Sequence, residues 1–168
     1  MQWCFKDMMD LYNTTTFECS KLITEYYSTS FTLGIKTLDK RFHFPIYAIY
    51  GFVRYADEIV DTFHGFDKKA LLNTFRTDTF KAIDEKISLN PVIHSFQIVV
   101  NEYQIDHDLI KAFLHSMEMD LYQSEYNQVG YEEYIYGSAE VVGLMCLRVF
   151  CEGNNEMYQA LKDDARSL

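Results

Sequence analysis

The chain has 168 residues, of which 48% are hydrophobic, so it is long enough to bury a core within one domain. Its formal net charge of −10 argues against nucleic acid as a partner, because duplex binding needs a basic surface. An acidic protein can still bind an anionic substrate, but it then needs divalent cations and clustered carboxylates to hold them. Aromatic residues make up 16% of the chain, which is consistent with an aromatic core or with an apolar ligand cavity.

The cysteines and the apolar segments predict a cytoplasmic protein. The four cysteines form no C-x-x-C motif and no metal-ligand spacing, which is typical of reduced, mostly buried thiols. No signal peptide is indicated, since Lys6 and Asp7 interrupt the start of the chain. The most apolar run, 141–151, contains Arg148 and is too short to span a bilayer. Peripheral membrane contact stays open.

Two prolines and seven glycines are too few to divide the chain into many short strands, so an all-α fold is predicted. The signals used are Thr16 and Asp106 as helix caps, the hydroxyls of 28–30 as a break, and Pro45 and Pro91 in first turns. The seven predicted helices cover about 16–27, 44–62, 67–87, 90–103, 106–122, 131–150 and 155–168. The last helix has no stop signal, so we expect a chain that is cut rather than finished.

The segment 50–61 carries the strongest chemical pattern. Asp57 and Asp61 lie four residues apart, so they share one helix face, where like charges disfavour the helix by roughly 0.2–0.5 kcal/mol. A divalent cation would neutralise the pair, and Mg²⁺ prefers one or two carboxylates with waters and substrate phosphate. Arg54 and Tyr50 share this face, and Arg54 could pair with Asp57 or bind a phosphate oxygen.

A solvated acidic face is the simpler explanation of an isolated pair of this kind. Ile46, Ile49 and Val53, however, extend apolar character around most of the predicted helix, which is typical of a buried helix. Buried carboxylates need partners. The local pattern therefore leaves a ligand role and a solvated face both open.

Three segments, in the same order, resemble those of squalene and phytoene synthases. Residues 28–31 followed by 50–61 resemble the family's opening, 117–121 resembles its M-x-x-D-L segment, and 134–143 resembles its Y-x-Y-G-x-A-x-x-V-G signature. Together they cover about 27–168. The resemblance implies a partial isoprenoid-synthase helical bundle of about seven helices, in which 1–168 form the N-terminal part of a single domain and the C-terminal helices are lacking.

The resemblance also implies a role for each matched position. Asp57 and Asp61 would hold Mg²⁺ against a substrate diphosphate that Arg54 contacts, and the hydroxyls of Ser28 and Ser30 would hydrogen-bond its oxygens. The residues implied for catalysis are Arg54, Tyr134 and Tyr136, and those implied to line the substrate channel are Phe31, Tyr50, Gly137, Ala139 and Gly143. Several family members carry His at the position of Tyr27, a departure that bears on a phosphate contact.

Simpler structural roles stay open for most of these residues. The two serines could simply end a helix, the two tyrosines could be core aromatics, and the small residues could only permit close helix packing. Asp120 could be a surface charge. The five histidines form no ligand cluster in the sequence.

The function implied is a head-to-head condensation of two prenyl diphosphates, farnesyl or geranylgeranyl, with Mg²⁺ as cofactor. NADPH would be needed only if the chain were of the squalene-synthase type, and the stretch 54–61 is closer to the phytoene-synthase type. A non-catalytic scaffold or assembly protein of the same family is the alternative, and an unrelated helical binding module is a third reading.

The family's second aspartate-rich motif has no counterpart in the chain, since Asp163 and Asp164 lack its four-residue spacing. We therefore expect a fragment that is weak or inactive alone. Apolar faces that later helices would cover should be exposed, which favours self-association.

Overall fold

The structure is a computed structural model that describes residues 5–122, 132 and 134–166, and it confirms the all-α fold. Every regular element in this part of the chain is a helix. The elements are α1 (Phe5–Tyr27), α2 (Thr29–Thr37), α3 (Lys40–Asp61), α4 (Lys68–Glu85), α5 (Pro91–Tyr103), α6 (His107–Asp120), a π-helical turn (Tyr136–Glu140), α7 (Val141–Phe150) and α8 (Asn155–Arg166).

The predicted start of the first helix is wrong. The helix begins at Phe5, and the Thr16 hydroxyl donates back to the carbonyl of Asn13 at 2.8 Å instead of capping. Helix α1 does end at Tyr27, where a break was predicted, but Thr29 and Ser30 lie in a further helix that the sequence pattern missed. The amide of Phe31 donates to Oγ of Ser28 at 3.2 Å, which makes Ser28 the N-cap of α2.

The second predicted helix corresponds to α3, which begins earlier than expected. Asp39 caps it by accepting from the Arg41 amide at 3.1 Å, and Pro45 therefore lies inside the helix rather than at its first turn. The predictions for α4, α5 and α6 agree with the structure to within a few residues, and Asn90 caps α5. Asp106 occupies the N-cap position of α6, but its side chain makes no capping hydrogen bond and accepts from Arg148 instead.

The predicted helix over 131–150 is interrupted by the π-helical turn, and its predicted start at Tyr131 lies outside the described residues. The turn approaches α6 closely at Gly137. A Cβ added there would lie 2.7 Å from the Ala112 carbonyl oxygen and 2.7 Å from Cβ of Ser116. The extra residue of a π-helical turn changes which side of the helix faces its neighbour, which fits such a contact.

Helix α3 lies at the centre and packs against α1, α2, α4, α5, α6 and α7. Its main anchor is Phe52, which is fully buried and stacks on Phe96 of α5 at 3.9 Å between ring centroids. Phe75 of α4 and Phe113 of α6 complete this aromatic cluster, at 5.2 and 5.7 Å from Phe52. Part of the aromatic content is therefore core. Because a helix turns about 100° per residue, Phe52 and the predicted site residues lie on opposite faces of α3. Packing of Phe52 in the core therefore turns the face with the predicted site away from the core.

Among the described helices, none is both long enough and apolar enough to cross a membrane.

Candidate functional site

The first wall of the site is formed where α2 lies against α3. The ring of Phe31 stacks on that of Tyr50, with 4.6 Å between centroids and 27° between planes. The structure thus brings together two residues predicted to line a channel. Ser30 is exposed beside them, whereas Oγ of Ser28 accepts from the Phe31 amide. The sequence pattern left open that Ser28 simply ends a helix; in the structure its side chain caps the start of α2.

The carboxylate pair lies on the same face of α3, one turn apart. Asp57 is half-buried and Asp61 is exposed. The pKa of Asp57 is raised above its ordinary value, first by burial and then by the negative charge of Asp61, while Arg54 opposes this shift. The charge of Asp120, at the end of α6, contributes in the same direction as Asp61. The segment 117–121 therefore brings a further carboxylate into electrostatic range of the pair.

Arg54 is held by two carboxylates and an aromatic ring. Its Nη1 donates to Oδ2 of Asp57 at 2.8 Å, and its Nη2 donates to Oε1 of Glu58. Its guanidinium carbon lies 4.4 Å from the centre of the Tyr27 ring, a cation–π distance. The predicted pairing of Arg54 with Asp57 is present, and Glu58 is a second partner that sequence reasoning missed. The four-residue spacing from Arg54 to Glu58 was the available signal.

Glu58 is buried, yet it is held as a carboxylate. Burial would raise its pKa, but hydrogen bonds from Thr62 and Arg54, together with the Arg54 charge and the Tyr27 hydroxyl, lower it below its ordinary value. The pKa of Arg54 is raised: burial opposes this, and the Glu58 hydrogen bond and the Asp57 charge outweigh it. Glu58 therefore faces the arginine as a charged partner.

The donor set at Asp57 and Asp61 fits Mg²⁺ as a partly water-ligated ion. No group of three or more His, Cys, Asp or Glu side chains in the described part of the chain is arranged to hold a metal. Mg²⁺ commonly uses one or two carboxylates and keeps waters or substrate phosphates at its other positions. The mutual repulsion of the two aspartates is what such a cation would relieve.

The π-helical turn and the residues that flank it are open on one side and packed on the other. Gly137 is buried against α6, so the close-packing explanation holds for this residue. Ala139 and Gly143 are exposed, and a Cβ added at Gly143 would meet no atom within 4 Å. Tyr134 and Tyr136 are half-buried, and Tyr136 packs against the core.

A cavity of about 460 Å³ lies between α2, α3 and α7. Its walls are mostly apolar, with Ser30, Phe31, Ile35, Ile46, Cys146 and Phe150 among them. Ser30 and Phe31 were predicted for the substrate, whereas Cys146 was not. Burial raises the pKa of the Cys146 thiol to about 12, so it serves as an apolar wall and not as a nucleophile.

Comparison with known proteins identifies the family to which the chain belongs. The family model for squalene/phytoene synthase matches residues 24–168. The chain belongs to the squalene/phytoene synthase family. No curated protein sequence matches it. Among solved structures, a dehydrosqualene synthase in complex with ligand is similar, with a TM-score of 0.77 and 22% identity over 92% of this chain. The squalene synthase HpnC from Alicyclobacillus acidocaldarius is similar too, with a TM-score of 0.80 and 18% identity over 94% of this chain.

The family assignment confirms the resemblance, and both structures share the isoprenoid-synthase helical fold. The chain corresponds to 52% of the length of the dehydrosqualene synthase and to 60% of that of HpnC. At identities below 25% the structural likeness concerns the fold alone. The roles assigned to individual side chains remain predictions.

Proposed function

We propose that this chain binds the diphosphate of a prenyl diphosphate through Mg²⁺ and Arg54, as part of a head-to-head prenyl transferase. The observation that carries the proposal is the grouping of Arg54, Asp57 and Asp61 on one face of α3. Family membership and the Phe31–Tyr50 wall support an allylic substrate, farnesyl or geranylgeranyl diphosphate.

The chemistry explains why these residue types are needed together. Diphosphate is a poor leaving group until its developing charge is neutralised, and Mg²⁺ supplies that neutralisation when bound. Asp57 and Asp61 would hold the ion. Arg54 would donate to a diphosphate oxygen, and Ser30 offers an exposed hydroxyl nearby.

Loss of diphosphate leaves an allylic cation that must be kept from water. The stacked rings of Phe31 and Tyr50 exclude water on one side, and Tyr134 and Tyr136 lie on the segment proposed for the other. An aromatic face near a cation stabilises it by about 0.5–2 kcal/mol. Gly137, Ala139 and Gly143 would let the prenyl chain approach that segment.

The full reaction proposed is the joining of two prenyl diphosphates through a cyclopropylcarbinyl diphosphate, giving a phytoene-type or dehydrosqualene-type product. A phytoene-type reaction needs no reductant, and NADPH enters only in a squalene-type reaction. We propose that these 168 residues alone react slowly or not at all, because two carboxylates supply only part of a magnesium site. Self-association and peripheral membrane contact of a cytoplasmic protein belong to the same proposal.

The proposal is tested by incubating the protein with each prenyl diphosphate and Mg²⁺, and analysing the extract by mass spectrometry. Binding of inorganic diphosphate is measured in parallel by calorimetry, with and without Mg²⁺. We expect Mg²⁺-dependent binding that Asp57→Ala/Asp61→Ala abolishes, and any C30 or C40 hydrocarbon to disappear in that variant. Binding that ignores Mg²⁺ and the double substitution would contradict the proposal and favour the non-catalytic scaffold.

A further inference from the structure

Arg54 has three partners, and only one of them is a candidate metal ligand. Asp57 accepts from Nη1, Glu58 accepts from Nη2, and the Tyr27 ring lies against the guanidinium. Both ion pairs form in one side-chain conformation, since residues three and four positions apart lie on the same helix face. Occupying Asp57 with a cation would therefore remove one partner and leave two in place.

Glu58 and Tyr27 are suited to hold the arginine in position. Glu58 is buried and has Thr62 and Tyr27 as hydrogen-bond partners besides Arg54, so contacts other than the guanidinium hold its carboxylate. Nε of Arg54 is buried and has no hydrogen-bond partner among the described residues. The orientation of the Arg54 guanidinium thus depends on its two Nη hydrogen bonds and on its contact with the Tyr27 ring.

The negative charge around Arg54 exceeds its own positive charge, and this affects how a cation could bind. Arg54 is one positive charge beside the carboxylates of Asp57, Glu58 and Asp61, so a cation and the arginine would compete for Asp57. If Arg54 had no other anchor, it would stay with Asp57 and oppose the cation. Because Glu58 retains Nη2, the arginine can give up Asp57 without losing its place.

We propose that Glu58 and Tyr27 are positioning residues that keep the Arg54 guanidinium in place when Asp57 turns to a cation, which leaves Nη1 to donate to a diphosphate oxygen. The inference rests on the proposed function and extends it to two residues outside the predicted site. Neither residue touches the ligand in this scheme; each acts through Arg54.

The first test observes Arg54 directly and needs no ligand. In the protein labelled with ¹⁵N-arginine, NMR of the guanidinium reports how freely its Nη groups rotate and exchange with water, and Arg54→Lys assigns the signal. We expect a restricted signal in the parent protein that becomes mobile in Glu58→Gln and in Tyr27→Leu. Tyr27→Phe, which keeps the ring, should retain the restriction in large part.

Glu118→Gln is the matched control, because Glu118 is a half-buried carboxylate that accepts from Arg76 at 2.9 Å between α4 and α6. This variant loses an equivalent ion pair and should leave the Arg54 signal unchanged. Thermal unfolding followed by circular dichroism shows whether each variant remains folded.

The second test is calorimetric titration with inorganic diphosphate in the presence of Mg²⁺. We expect binding to weaken about tenfold in Glu58→Gln and about threefold in Tyr27→Leu, with less than about a twofold change in Tyr27→Phe and Glu118→Gln. An unchanged Arg54 signal in Glu58→Gln would overturn the inference, and so would a mobile Arg54 with unchanged affinity. If the parent protein binds no diphosphate while Arg54 still becomes mobile in Glu58→Gln, the positioning stands and the proposed function fails.

Discussion

Two arginines in this protein have the same kinds of partners and opposite surroundings. Arg148 of α7 donates to Asp106 at 2.7 Å and to Asn155 at 3.1 Å, and its guanidinium carbon lies 3.7 Å from the centre of the Tyr158 ring. Arg54 likewise combines acidic partners with a tyrosine ring. The side chain of Arg148, however, is 7% exposed, and that of Arg54 is 25% exposed.

The partners reveal what each arginine does. Those of Arg148 are Asn155 and Tyr158 of the following helix, α8, and Asp106, which lies 42 residues earlier, directly before α6. Within the described part of the chain Arg148 has one carboxylate partner, Asp106, so the charges balance. Arg54 pairs with both Asp57 and Glu58, and Asp61 lies one turn further along the same helix, so it faces more negative charge than it can neutralise. Excess carboxylate around a partly exposed arginine suits a site for a cation with a phosphate ligand, whereas a buried arginine with one carboxylate partner suits helix packing.

Replacing each arginine by methionine should separate the two roles most clearly. Arg148→Met removes the contact with Tyr158 and the donor to Asp106 and Asn155, so we expect a loss of about 1–3 kcal/mol in the free energy of unfolding. Arg54→Met leaves the buried carboxylate of Glu58 without its arginine donor, so we expect a loss of similar size, and it should also weaken Mg²⁺-dependent diphosphate binding by about a hundredfold or more. Urea denaturation and calorimetry measure the two effects.

The comparison would break if Arg54→Met left Mg²⁺-dependent diphosphate binding intact. Arg54 would then be a structural residue as well. Normal diphosphate binding by Arg148→Met, under conditions where it remains folded, is the complementary expectation.

Gly137 and Gly143 differ in the same way as the two arginines, since Gly137 is packed against α6 and Gly143 is exposed. Gly137→Ala forces a methyl group against the Ala112 carbonyl and Ser116, so we expect a loss of about 1–3 kcal/mol in unfolding free energy. Gly143→Ala meets no atom within 4 Å and improves helix propensity, so a gain of up to about 1 kcal/mol is expected. Thermal denaturation of both variants checks this, and equal effects would show that the two faces do not differ in packing.

Sequence reasoning predicted the grouping of side chains that lie on one helix. Arg54, Asp57 and Asp61 share a face because of helical periodicity alone, so their grouping needed no tertiary information. The partner choice of Arg54 was harder to predict. Asp57 and Glu58 lie at equally favourable spacings, and the burial that makes Glu58 a fixed anchor comes from helices elsewhere in the chain.

The missed features share one physical cause, which is their dependence on distant contacts. The hydroxyl of Ser28 can end a helix or cap the next one, and the stacking of Phe31 on Tyr50 accompanies the second outcome. The π-helical turn fits the close approach of Gly137 to α6, and the electrostatic influence of Asp120 on Asp57 joins two helices. None of these follows from local propensity.

The contribution of the buried, hydrogen-bonded side chain of His94 to stability can be tested by changing the pH. It is buried; its Nδ1 accepts from the Ser88 amide at 3.1 Å, and its Nε2 lies 2.8 Å from the side-chain oxygen of Asn13. Burial lowers its pKa below the ordinary value of 6.5, so in acid the unfolded chain takes up a proton that the folded chain does not.

The free energy of unfolding should therefore fall as the pH drops below about 6.5, by at most about 1.4 kcal/mol per pH unit for this group, until the folded-state pKa is passed. Urea denaturation between pH 7 and pH 5 measures this slope, and His94→Gln should make it shallower. The same slope in the variant would mean that other groups cause the pH dependence.

The smallest expected effect on stability is that of Asp61→Asn, and it is the most specific for the proposed Mg²⁺ site. In the absence of Mg²⁺, Asp61→Asn removes the repulsion from Asp57 and should stabilise the protein by about 0.2–0.5 kcal/mol. Adding Mg²⁺ should then stabilise the parent protein but not the variant, because a ligand that binds only the folded state raises its stability. Thermal unfolding with and without Mg²⁺ measures both effects, and Asp84→Asn, which changes an exposed carboxylate on α4, controls for net charge. If Mg²⁺ stabilised Asp61→Asn as strongly as the parent protein, the cation would bind elsewhere, and the carboxylate excess around Arg54 would need another explanation.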